Sequence, residues 1–71
     1  MDIIETVKIT MTVFNKLLDR TPTYDQKKKA DLAEMERRFY DEVNATVADH
    51  ALIDKLGSDI MQHIKSEMKN V

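Results

Sequence analysis

The chain has 71 residues, 13 acidic and 11 basic, a formal net charge of −2, one Gly, one Pro and no Cys. The absence of Cys excludes a disulfide scaffold and thiolate metal sites, and a single Gly excludes collagen, Gly-rich phosphate loops and most small β folds, which need turn glycines. Near-balanced charge argues against a dedicated basic nucleic-acid binder. A domain of this size buries only about 60% of its unfolded surface and is often marginal alone. It therefore needs a disulfide, a metal, very good helix packing or self-association. Apolar runs are as short as Ala51-Leu52-Ile53, so no membrane span is expected. The N-terminus lacks a basic start followed by an apolar stretch, and with no Cys the expected location is cytoplasmic.

The first helix is expected from Asp2 to about Arg20. Asp2 is of capping type, and Ile4, Val7, Met11, Phe14 and Leu18 recur three and four apart on one face. Thr21-Pro22-Thr23 stops it, because Pro disfavours helical geometry in the residue before it. This helix is too apolar for one buried side. Ile9 and Val13 point almost directly away from the main face, Leu17 lies between the two sets, and Thr6 and Thr10 add no charge. A helix with one buried side should be polar over more than half its circumference. The stripe of Ile9, Val13 and Leu17 is thus the expected partner interface, and a second copy is the simplest partner, since two-fold homodimers are the commonest assembly.

The second helix is expected over about 24–48, opening on a capping box of Thr23 and Gln26. Leu32, Met35, Phe39, Val43 and Val47 mark its apolar face. At about 100° per residue, Val43 and Val47 point to one side and Leu52 and Leu56 to nearly the opposite one. A straight helix cannot bury both pairs, so a break is expected between Asn44 and His50, with Asp49 as the new cap; one bent helix is the competing arrangement.

Lys27, Lys28 and Lys29, with Arg37 and Arg38, are the one nucleic-acid-like signal, with the three lysines as candidate phosphate contacts. Residues 24–43 hold five basic and six acidic side chains, however. Glu34–Arg38, Lys27–Asp31, Arg37–Asp41 and Arg38–Glu42 are each four apart, the spacing of a salt-bridged, solvated helix face.

The third helix is expected over about 50–69, with Leu52, Ile53, Leu56, Ile60, Ile64 and Met68 on one broad face. Gly57 has three readings: a tolerated helix glycine, a close approach of another helix, or a stop with Ser58 capping a fourth helix. His50 with Asp54, and Asp59 with His63, share helix faces, but there is no His-x-x-x-His or Glu-x-x-His, so neither a metal nor another cofactor is expected. Asp59, His63 and Ser66 lie on one stripe, yet adjacent turns of one helix do not give the geometry of a catalytic triad. Met11, Met35, Met61 and Met68 lie on or beside apolar faces, as core filler or as an adaptable groove for a target helix.

These observations point to an all-α chain: a small three-helix bundle with antiparallel neighbours, assembled as a homodimer through the first helix. The expected role is non-enzymatic, a regulator, adaptor or inhibitor that occupies another protein. A chain this short with no catalytic site and no targeting segment is typical of phage or plasmid accessory proteins. The alternative is a dimeric nucleic-acid-binding regulator that uses Lys27, Lys28 and Lys29.

Overall fold

The computed structural model describes residues 2–71 and contains three α-helices, α1 (Ile3–Asp19), α2 (Gln26–Val43) and α3 (His50–Glu67), followed by a 3-10 turn over Met68–Asn70. No strand occurs among the described residues, and none of the helices is long and apolar enough to cross a membrane. Each α-helix opens on an aspartate whose carboxylate accepts backbone N–H groups left without partners by the first turn: Asp2 from Ile4, Asp25 from Lys27 and Lys28, and Asp49 from Ala51 and Leu52. The cap of α2 is Asp25 rather than Thr23. The backbone before it is held in a turn, with the Tyr24 N–H donating to the Thr21 carbonyl, and Gln26 Nε2 bonds the Tyr24 carbonyl in place of a capping box.

α2 is shorter than its apolar spacing predicts. It stops at Val43, where the Asn44 N–H closes the last turn on the Tyr40 carbonyl at 3.0 Å. Val47 keeps helical phase in the sequence but lies in the connection, 88% exposed. The Glu42 carboxylate takes the Asp49 N–H at 2.9 Å, which ties the end of α2 to the cap of α3. Glu42 is thereby engaged, and the ion pair of Arg38 is made with Glu34.

Side-chain partners fix the directions of the helices. Asn15 meets Glu36 and Asp19 meets Lys29, so α1 and α2 run oppositely. Tyr24 at the start of α2 meets Glu67 at the end of α3, so these two run oppositely as well. α1 and α3 are therefore side by side and parallel, with Val7 near Gly57 and Leu17 near Met68.

The core is formed by Val7, Met11, Phe14 and Leu18 of α1, Tyr24, Leu32 and Phe39, and Ile53, Ile60 and Ile64 of α3. Burying each aliphatic side chain stabilises by about 1.5–3 kcal/mol. Gly57 lies within α3 at the centre of this core. A Cβ there would sit 3.1 Å from Val7 Cγ2 and 3.2 Å from Phe39 Cε1, so the glycine permits α1 and α2 to close on α3. α3 runs through it without a stop or a fourth helix.

Two of the expected apolar positions on α3 are open to solvent: Leu52 is 38% and Met68 51% exposed. One charged residue of α3 is covered instead. Glu67 is 8% exposed and accepts the Tyr24 hydroxyl at 2.6 Å, with Lys28 Nζ at 3.4 Å and Asn70 Nδ2 at 3.4 Å. The Tyr24 hydroxyl, helped by Asn70 and Lys28 and opposed by burial, holds the Glu67 carboxyl below the usual carboxylate range. Burial first, and the adjacent carboxylate second, push the Tyr24 phenol from 10.0 up to about 12.

A phenol whose folded pKa is raised contributes stability that is complete below its unfolded value and lost as pH climbs through the folded one. Alkaline titration should therefore weaken the fold between pH 10 and about 12 as Tyr24 ionises. Tyr24→Phe should remove that step and lower Tm at neutral pH by roughly 5 °C. Thermal melts followed by circular dichroism at both pH values check this. A Phe variant that keeps the wild-type alkaline transition would assign that transition to another group.

The bundle is thin. Its Cα extents are 39 × 24 × 16 Å and its radius of gyration is 12.4 Å, against about 11 Å for a compact chain of this length. The accessible surface is 4983 Å², where about 4,600 Å² is usual for this mass.

Candidate interaction surface on α1

The four core residues of α1 turn inward, and the side opposite them carries Ile9 and Val13, 49% and 61% exposed. Leu17, the third residue of the predicted stripe, is half-buried where α1 meets α3. The stripe is therefore graded: two aliphatics face solvent and one connects them to the core.

Beside this ridge runs an open groove of about 370 Å³ between the parallel helices α1 and α3. One wall is Ile9, Thr10, Val13 and Leu17, and the other is Met61, Lys65 and Met68. The buried residues Phe14 and Ile64 also line it, so the groove reaches down to the core. On the far side of the ridge a shallower concavity of about 290 Å³ is lined by Glu5, Lys8 and Thr12 together with Ile9 and Val13. Two aliphatic knobs thus stand between two hollows. That relief suits ridges-into-grooves packing against another helix.

The threonines of α1 complete the surface. Thr6, Thr10 and Thr12 each donate the hydroxyl to the carbonyl four residues earlier, of Asp2, Thr6 and Lys8, at 3.2, 2.8 and 2.9 Å. Their hydroxyl protons are already engaged within the helix, so covering these side chains leaves no donor without a partner. Spacing alone counts threonine as uncharged filler. The back-bonding makes the face more apolar than its composition suggests.

Charges on the side of α1 facing α2 are occupied. Lys8 Nζ sits 5.9 Å from the centre of the Tyr40 ring, and Asp19 pairs with Lys29 at 3.5 Å. Asn15 Nδ2 reaches both oxygens of Glu36 at 3.1 Å. Burial pushes the Glu36 carboxyl up, opposed by that hydrogen bond.

The three lysines of α2 differ in their partners. Lys28 is drawn to Glu67 at 3.4 Å and Lys29 to Asp19 at 3.5 Å, while Lys27 is exposed and makes no ion pair among the described residues. The expected Lys27–Asp31 pair is not formed. Along the same helix Arg37 bridges Glu34 at 2.6 Å and Asp41 at 3.1 Å, and Arg38 joins Glu34 at 3.3 Å. The Arg37 guanidinium foremost, and Arg38 after it, hold the Glu34 carboxyl low. Such exposed networks are worth little in stability. They do pair the charges of Glu34, Arg37, Arg38 and Asp41 along α2.

No cluster of three or more His, Asp or Glu able to hold a metal occurs among the described residues. Asp59 takes Lys55 Nζ at 3.3 Å, and no hydrogen bond joins Asp59, His63 and Ser66 among the described residues. His63 Nε2 is buried without a partner. Comparison with protein-family models, with curated proteins and with solved structures finds no match.

Proposed function

We propose that this chain is a small non-enzymatic protein–protein interaction module that works as a homodimer through α1, and that it regulates, adapts or inhibits a further protein. One observation carries this reading: Ile9 and Val13 stand 49% and 61% exposed on a helix whose neighbouring threonine hydroxyls are bonded internally, beside a groove that opens to the core. Covering such a face removes apolar area from water at almost no polar cost. Contiguous exposed apolar surface of this kind is characteristic of association sites. The groove offers contact more than chemistry, since Lys65 is its one ionisable lining residue. A second copy fits this surface, because the ridge of Ile9 and Val13 is flanked by a hollow on either side and a two-fold pair can set each ridge in a hollow of the other.

The first test is the native mass. Sedimentation equilibrium at micromolar concentration should give twice 8.3 kDa, falling toward 8.3 kDa on dilution. A single 8.3 kDa species up to millimolar concentration would remove the homodimer.

A further inference from the structure

The exposed strip of α1 has an electrical polarity that selects one arrangement of the pair. Taking Val13 as the reference and about 100° per residue, Arg20, Ile9, Lys16, Glu5 and Thr12 fall within an arc of about 100° to one side of it. All of them are exposed. Along the strip the order is acid, apolar and neutral, then base: Glu5 near the N-terminal end, Ile9, Thr12 and Val13 in the middle, Lys16 and Arg20 near the C-terminal end. None of the three charged residues has an ion-pair partner within 4.0 Å among the described residues. The other charged residues of this helix differ, Lys8 lying over Tyr40 and Asp19 pairing with Lys29.

A strip with acid at one end and base at the other complements a copy of itself only when the copy is reversed. A parallel pair sets Glu5 against Glu5, Lys16 against Lys16 and Arg20 against Arg20, and aligns the two helix dipoles unfavourably. An antiparallel pair does the opposite. With the two-fold axis beside Thr12, Glu5 of one copy lies level with the partner's Asp19, whose carboxylate is taken by Lys29 of its own chain, and between Lys16 and Arg20 of the partner subunit. Ile9 then lies within about 3 Å, along the helix, of Val13 of the partner subunit. The same charges would not select an unrelated helix, but they are self-matching for this one.

We infer that α1 pairs with α1 of a second copy in antiparallel orientation, crossing near Thr12, with Glu5 of each copy facing Lys16 and Arg20 of the partner subunit. This rests on the homodimer reading above and adds its geometry. The experiment is charge reversal read by the dimer dissociation constant, in sedimentation equilibrium at 20–50 mM and again at 500 mM salt. Glu5→Lys alone and Lys16→Glu with Arg20→Glu should each weaken dimerisation about tenfold at low salt. The triple variant should return to within about threefold of wild type, and the differences should shrink at high salt. Circular dichroism checks that α1 stays helical. If Glu5→Lys disturbs the first turn, Glu5→Gln should still weaken the pair by about threefold. Reversals that leave the constant unchanged, or a triple variant with additive losses, overturn the antiparallel geometry while the dimer stands. A monomeric wild type overturns the geometry and the dimer together.

Discussion

Replacing Gly57 with leucine should cost about 3 kcal/mol of folding stability. The position is buried at the centre of α3, and its missing Cβ would already lie 3.1 Å from Val7 Cγ2 and 3.2 Å from Phe39 Cε1. Both neighbours are 0% exposed, so neither can swing out to solvent. Three further carbons must then separate the helices on both sides of α3. A chain of this length has about 4–10 kcal/mol of total stability, so the loss is a large share of the whole. Alanine is a different case. Its helix propensity gains about 1 kcal/mol over glycine, and this offsets the few tenths of an ångström that Val7 and Phe39 must yield. Gly57→Ala should therefore stay within about 1 kcal/mol of wild type. Urea unfolding followed by far-UV circular dichroism measures both. A leucine variant with the wild-type midpoint would mean that the close approach at Gly57 is not real.

The second large effect concerns association. Ile9→Lys with Val13→Lys should weaken the dimer at least about 100-fold, equivalent to about 3 kcal/mol. Each pair loses four aliphatic side chains from its interface and gains four like charges across it. The fold itself should tolerate the change, because the two sites are 49% and 61% exposed and a lysine stem can lie along the helix with its ammonium in water. The variant should sediment at 8.3 kDa with unchanged helix content. Its Tm should also cease to depend on protein concentration, whereas that of a dimer rises with it. A double variant that associates as tightly as wild type would place the contact elsewhere.

The residues that the spacing argument reads well are those whose neighbours lie within one helical turn. Asp2 and Asp49 bond the N–H groups of the next two or three residues, and Glu34, Arg37, Arg38 and Asp41 bond along a single face. The misplacements turn on what another element supplies or fails to supply. Thr23 is a good cap by type, but Tyr24 beside it is drawn into the core and hydrogen-bonded to a carboxylate 43 residues away, so α2 begins later, on Asp25. Val47 has the right phase for α2 yet meets no helix there. Lys28 and Lys29 find Glu67 and Asp19 across the bundle instead of the acids on their own helix.

The surface on α1 divides in the same way. Ile9, Val13 and Leu17 stand out in the sequence because helical periodicity fixes angle about one axis, and angle alone shows that they leave the main face. Which of them remains exposed is decided by packing, since α3 lies on the Leu17 side and half covers it. The wall of Met61, Lys65 and Met68 exists only because α1 and α3 lie side by side and parallel, a relation between helices with 30 residues of chain between them. The sequence by itself pointed to three helices, with aspartate caps at Asp2 and Asp49 and an excess of apolar surface on the first, because those properties depend on backbone geometry over a few residues. Only the tertiary structure decided that Gly57 is a contact point, that Glu67 is covered, and that the stripe borders a groove. Each of these depends on distances between side chains far apart in the chain, which no local period encodes.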